Sequence, residues 1–97
     1  MTVEKELADG KLTLKVGGRL DTNTSPELEE HLKLDGVKEV VFDFSALEYI
    51  SSAGLRILMM AQKALMATGG QVVVASPNEM VRGVLEMTGL ASVFTIA

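Results

Sequence analysis

Val40-Val41-Phe42-Asp43-Phe44-Ser45-Ala46-Leu47-Glu48-Tyr49-Ile50-Ser51-Ser52-Ala53-Gly54-Leu55-Arg56 reads as a buried strand, a short connection and two serines that open a helix. A hydroxyl at a helix N-terminus faces free backbone N–H groups and the positive end of the helix dipole. Such a position tolerates added negative charge and suits a phosphate switch. Nothing else in the chain carries comparable chemistry.

Downstream, the helix is predicted from about Ser51 to Thr68, with Gly69 as its left-handed C-terminal cap. Gln71 to Ala75 is a second buried strand. Ser76-Pro77-Asn78-Glu79 has Ser76 placed as an N-cap with proline next and glutamate three residues on. Met80, Val81, Val84 and Leu85 line the helix that follows, Gly89 ends it, and Ser92 to Ile96 adds a last short strand. Upstream, Val3 to Leu7 and Lys11 to Val16 flank the tight-turn pair Asp9-Gly10. Leu12, Leu14 and Val16 alternate with Thr13 and Lys15, and Gly17-Gly18 ends or bends that strand. Thr24 and Glu27 have capping-box spacing before a short helix bearing Leu28 and Leu32, with Pro26 in its first turn.

Val37 to Phe44 is nearly continuous in apolar residues after Glu39, which predicts a strand covered on both faces. The order is β-β-α-β-α-β-α-β. A strand, a long helix and a second buried strand make a right-handed crossover between parallel neighbours, and the opening hairpin makes the sheet mixed. The expected fold is α/β, a mixed sheet of four to five strands with an N-terminal hairpin and about three helices. The helices are expected to cover mainly one face, with placement of the last helix elsewhere as the alternative.

On the long helix, Gly54, Ile57, Leu58, Ala61, Ala64 and Leu65 fall on one side, the expected core face. Gly54 then points at the sheet, where only a hydrogen fits. Ser52, Arg56 and Lys63 form an outward stripe flanked by Leu55, Met59, Met66 and Met60. Exposed Leu and Met beside a modifiable hydroxyl make a partner surface. Arg56, one turn after Ser52, can pair with a phosphate placed there. The competing reading is that the serines only cap the helix and neighbouring elements cover the methionines.

A chain of 97 residues is one domain, spanning 1–97. A net charge of −4 and no Lys/Arg run argue against nucleic acid. The absence of Cys removes disulfides and thiolate zinc sites and fits a reducing compartment. Charged Met1–Glu6 does not resemble a signal peptide, and the apolar-rich run from Leu55 to Ala67 is interrupted by Arg56, Gln62 and Lys63, so no membrane role is expected and the chain reads as soluble and cytoplasmic. An enzyme is disfavoured. His31 is the only histidine and has no evident triad partner, no phosphate-binding glycine loop exists, and no metal-ligand cluster or cofactor motif is present.

Asp43-Phe44-Ser45-Ala46-Leu47-Glu48-Tyr49-Ile50-Ser51-Ser52-Ala53-Gly54-Leu55 closely resembles the signature of the STAS domain, the family of bacterial anti-sigma factor antagonists and transporter tails. Gly18-Arg19-Leu20-Asp21 with Thr24-Ser25-Pro26-Glu27-Leu28, and Val81 to Leu90, are similar to two further family segments. The likeness covers essentially the full length. It implies a monomeric module that sequesters an anti-sigma factor doubling as a serine-protein kinase. That kinase phosphorylates a hydroxyl at the start of the long helix, which weakens binding, and a serine phosphatase reverses the mark.

In the best-known members the accepting hydroxyl directly precedes the glycine; here that residue is Ala53. Ser52 is the first candidate acceptor and Ser51 the second, and loss of the switch is the third outcome. Asp21, Leu55, Arg56, Met59, Met60 and Lys63 are the candidate partner-binding residues, with Asp21 serving either the partner or the backbone N–H groups after it. Asp43, Ser45 and Gly54 are assigned structural roles. The alternative function is a non-phosphorylated STAS subunit of an ABC-type lipid-transport complex or another signalling assembly.

Overall fold

Asp9 and Gly10 take left-handed backbone conformations, φ 52° and 80°, the geometry of a two-residue hairpin turn. They join β1, Thr2–Ala8, to β2, Lys11–Leu20, in an antiparallel pair that closes at Ala8 and Lys11. The computed structural model describes every residue, 1–97. After β2 come α1, Ser25–Glu29; β3, Glu39–Ile50; α2, Ser52–Met66; β4, Gln71–Ala75; α3, Glu79–Met87; a 3-10 turn, Leu90–Ser92; and β5, Thr95–Ile96. The sheet order is β1-β2-β3-β4-β5, antiparallel at the first pair and parallel elsewhere. The predicted element order and mixed sheet are those observed.

The core lies on one face of that sheet. Leu12, Leu14 and Val16 of β2, Val40, Phe42 and Phe44 of β3, and Val72 and Val74 of β4 are buried in one cluster. Leu28 of α1, five apolar residues of α2, and Val81 and Leu85 of α3 join the same cluster, so all three helices cover this face. The opposite face carries Lys15 and the half-buried Thr13, Val41, Asp43 and Val73. The expectation of a β3 covered on both faces is therefore corrected. Val41 and Val73 are apolar but sit side by side in register on the open face, where each needs only its neighbour.

Two boundaries also differ. Gly17-Gly18 does not end β2, which continues to Leu20 through register shifts against β3. Gly18 adopts φ 87° at the second shift, and a Cβ on Gly17 would lie 3.3 Å from the Ala46 Cβ, so the pair bends the strand and lets β3 approach. Correspondingly Ser45 to Ile50 is strand rather than a connection, paired with Gly17 to Leu20.

The helix starts are corrected too. The Thr24 hydroxyl makes no capping bond to α1; it donates to the Arg19 carbonyl at 2.8 Å and accepts from the Asp21 N–H at 2.9 Å. Asn78, not Ser76, caps α3, accepting from the Val81 N–H at 2.8 Å. Its amide also donates to the carbonyls of Leu47 and Glu48, a tertiary tie that Ser76 cannot make. Met80 then points outward and only Val81 and Leu85 are fully buried.

Candidate partner-binding site

The site is built where β2 and β3 end and α2 begins. The Ser51 N–H donates to the Leu20 carbonyl at 2.9 Å, and the Leu55 N–H to the Ser51 carbonyl at 3.0 Å. These bonds fix the first turn of α2 over the C-terminal end of β2. Gly54 makes the close approach possible, because a Cβ there would lie 2.8 Å from both Leu20 Cγ and Ile50 Cγ1. The expected inward position of Gly54 is the one observed.

The two candidate serines sit differently. Ser51 is the N-cap of α2, yet its hydroxyl makes no capping bond and its Oγ is buried without any hydrogen-bond partner. Ser52, the first helical residue, is exposed. The reading in which the serines only cap the helix is corrected: no side chain caps α2, so its first-turn N–H groups are left for other partners.

From Ser52 an exposed row runs down α2 at four-residue intervals: Ser52, Arg56, Met60 and Ala64. Met60 is 41% exposed. Lys63 lies beside the row and is exposed. Neither Arg56 nor Lys63 forms an ion pair, the two in the molecule being Lys11–Glu39 and Arg19–Asp21. Three expectations fail here. Leu55, placed on the outward flank, is buried at 9% exposure, and Met59 is half-buried against the core. Both lie at the margin of the apolar arc, which is broad enough to draw marginal side chains inward. Ala64, assigned to the core, is exposed instead.

Asp21 organises the neighbouring β2–α1 loop. Its Oδ1 accepts from the N–H groups of Asn23 at 3.0 Å and Thr24 at 3.1 Å. Desolvation pushes its pKa up, but the hydrogen bonds from Thr24 and Asn23 and the Arg19 charge outweigh this, and the net direction is down. The loop role assigned as one alternative is thus present. Arg19 lies with its guanidinium carbon 4.3 Å from the Tyr49 ring centroid and Nε 3.8 Å from Asp21 Oδ2. Sequence reasoning missed this pair, although Tyr49 is itself a signature residue and Arg19 lies within the second family segment. Asp43 accepts from the Ser45 N–H at 3.0 Å. That bond, helped by the Ser45 hydroxyl and Lys15 against a desolvation that opposes it, holds the Asp43 carboxyl below the ordinary range.

Two concavities exist. One, about 330 Å³, lies on the open sheet face and is lined by Glu4, Lys5, Glu6, Thr13, Lys15 and Asp43, none of them apolar. The other, about 220 Å³, lies between α2 and the segment after α1, among Glu29, Leu32, Leu34, Met60, Ala61 and Ala64. No group of three or more His, Cys, Asp or Glu is arranged to hold a metal ion. No helix is long and apolar enough to cross a membrane.

The chain is similar to several known proteins. BtrV of Bordetella bronchiseptica, whose name places it among anti-sigma factor antagonists, is 33% identical over 100 residues, covering 100% of this chain and 86% of BtrV. The anti-sigma-B factor antagonist of Staphylococcus aureus is 30% identical over 93 residues, covering 93% of this chain and 86% of its own. The anti-sigma factor antagonist SpoIIAA in its unphosphorylated form superimposes with a TM-score of 0.87 at 19% identity, covering 99% of this chain and 88% of SpoIIAA. The Bacillus cell fate determinant SpoIIAA in its phosphorylated form gives a TM-score of 0.79 at 18% identity, covering 99% of this chain and 91% of that one; at these identities the likeness is one of fold. The STAS domain matches residues 2–97. With the signature running from the end of β3 into an uncapped helix start, and with that match over nearly every residue, this chain belongs to the STAS domain family.

Proposed function

We propose that this protein is an anti-sigma factor antagonist: it sequesters an anti-sigma factor that is also a serine-protein kinase, and phosphorylation of Ser52 weakens the complex. The observation that carries the switch is the contrast at the start of α2, where Ser52 is exposed and the Ser51 oxygen is buried. A phosphate on Ser52 meets an uncapped helix N-terminus and has Arg56 one turn away. Two added negative charges would spoil an apolar or acidic contact on the row below. The names of the Bordetella and Staphylococcus relatives support the binding role. A serine phosphatase restores the binding form, and the antagonist acts as a monomer.

The test is incubation with the candidate kinase and ATP, then fragmentation mass spectrometry of the tryptic peptide ending at Arg56. Phosphate on Ser52 is expected. A peptide that stays unmodified while the complex still forms removes the switch and leaves the binding role.

Ala53 favours a second reading. It occupies the position of the family's usual acceptor hydroxyl, which fits a constitutive STAS subunit, as in ABC-type lipid-transport complexes. That reading expects equal partner affinity for the wild type and Ser52→Asp.

A further inference from the structure

The groove between α2 and the segment after α1 has no role in the switch, yet the exposed row of α2 leads into it. Ser52, Arg56, Met60 and Ala64 follow one four-residue ridge, and its last two members line the groove. Leu32 and Leu34 form the opposite wall and are only half-buried. Buried Ala61 floors the groove, and Ala64 leaves its ridge side open, since that side chain stops at Cβ. The one charged lining residue is Glu29, and it makes no ion pair. Glu27 and Glu30 are exposed along and just beyond the same short helix, and Lys33 and Lys63 are exposed beside the wall leucines and Ala64. The groove is thus an apolar slot of about 220 Å³ whose one charged lining residue is Glu29.

We propose that this slot receives one apolar side chain of the anti-sigma factor, carried on a segment that presents a Lys or Arg to Glu29. The inference rests on the binding role proposed above and adds a second anchor to it. The occupant's basic character follows from Glu29, the one charged group lining the slot and one without an ion-pair partner. Its source follows from continuity: a partner covering Ser52 and Arg56 reaches the groove along the same ridge. The side chain in the slot is a desolvated apolar anchor of the kind that dominates interface energetics, and the ridge start is the part that phosphate disturbs. Phosphorylation at Ser52 therefore weakens one end of the interface while the anchor stays in place.

The test measures affinity of the full chain for the anti-sigma factor kinase, using Ala64→Trp to fill the slot, Glu29→Lys to reverse its one charged lining residue and Met87→Glu as a control. Met87 is 90% exposed, at the end of α3 and outside the groove lining. Ala64 and Glu29 are exposed, and a thermal melt of each variant establishes that the fold is kept. The expected result is a loss of tenfold or more for Ala64→Trp, a smaller loss with reduced salt sensitivity for Glu29→Lys, and no change for Met87→Glu. The loss from Ala64→Trp is also expected to persist in a Ser52→Asp background. Wild-type binding with Ala64→Trp unaffected overturns the groove proposal alone. Absence of wild-type binding overturns the antagonist role and the groove proposal together. Dimerisation of the free chain that Ala64→Trp abolishes, with kinase affinity unchanged, assigns the slot to a second copy and likewise overturns it.

Discussion

Gly54 rests directly on Leu20: a Cβ at Gly54 would stand 2.8 Å from Leu20 Cγ, well inside any ordinary carbon–carbon contact. The same atom would stand 2.8 Å from Ile50 Cγ1. The end of β2, the end of β3 and the first turn of α2 therefore meet around one hydrogen atom. A glycine in a helical turn costs about 1 kcal/mol against alanine, and this close approach is the reason it is kept. Gly54→Leu is expected to destabilise the fold by about 2–3 kcal/mol through overpacking. In a domain of this size that lowers the melting temperature by roughly 10 °C or more. A calorimetric melt matching the wild type would contradict the packing at Gly54.

The two N-caps predict opposite outcomes for one kind of substitution. Asn78 accepts from the Val81 N–H and donates to the Leu47 and Glu48 carbonyls, so Asn78→Ala should cost about 1–2 kcal/mol. The Ser51 hydroxyl is buried and unpartnered, so removing it leaves no donor or acceptor stranded. Ser51→Ala is expected to change stability by less than about 0.5 kcal/mol, or to raise it. Urea unfolding of both variants checks the pair. A Ser51→Ala loss as large as that of Asn78→Ala would mean that the Ser51 oxygen has a partner in solution.

The same two caps mark where the sequence was legible and where it was not. Alternation in Leu12, Leu14 and Val16 named the buried face of β2, because period-2 burial is a property of the strand alone. The inward position of Gly54 followed from helical phase in the same way. Asn78 was missed because its advantage over Ser76 lies in carbonyls thirty residues away. Ser45 to Ile50 looks like a connection in sequence because its extended form depends on pairing with the bent end of β2. The side on which Leu55 falls is not legible, because a residue at the edge of an apolar arc is covered or bare according to its neighbours. Local periodicity was visible in each case, and the failures all required knowing what packs alongside.

Acid should weaken the fold in a definite window. Asp21 and Asp43 both have pKa values held below the ordinary range. A lowered folded-state pKa means the unfolded chain takes up protons first as pH falls. The stabilisation is present above the unfolded value of about 4 and is lost as pH drops through the folded one. Melting temperatures measured from pH 7 to pH 3 should fall at the acid end, and less steeply in an Asp21→Asn/Asp43→Asn variant. Identical acid slopes in the two proteins would place the sensitivity on other carboxylates.

Ser52→Asp separates the effects of charge on the fold and on the partner. Ser52 is exposed at the first position of a helix with no side-chain cap. A carboxylate there gains about 0.3–1 kcal/mol from the helix dipole and free N–H groups. The variant should therefore melt at or a few degrees above the wild-type temperature. The same charge stands at the head of the row that continues through Arg56 to Met60, where it shields Arg56 and obstructs an apolar or acidic contact. Affinity for the anti-sigma factor should fall by tenfold or more. Adding Arg56→Ala to Ser52→Asp should remove part of the thermal gain if the two side chains pair across one turn. Calorimetry with titration of the partner reads both quantities. A variant that keeps full affinity would locate the interface away from the start of α2, whatever the melt shows.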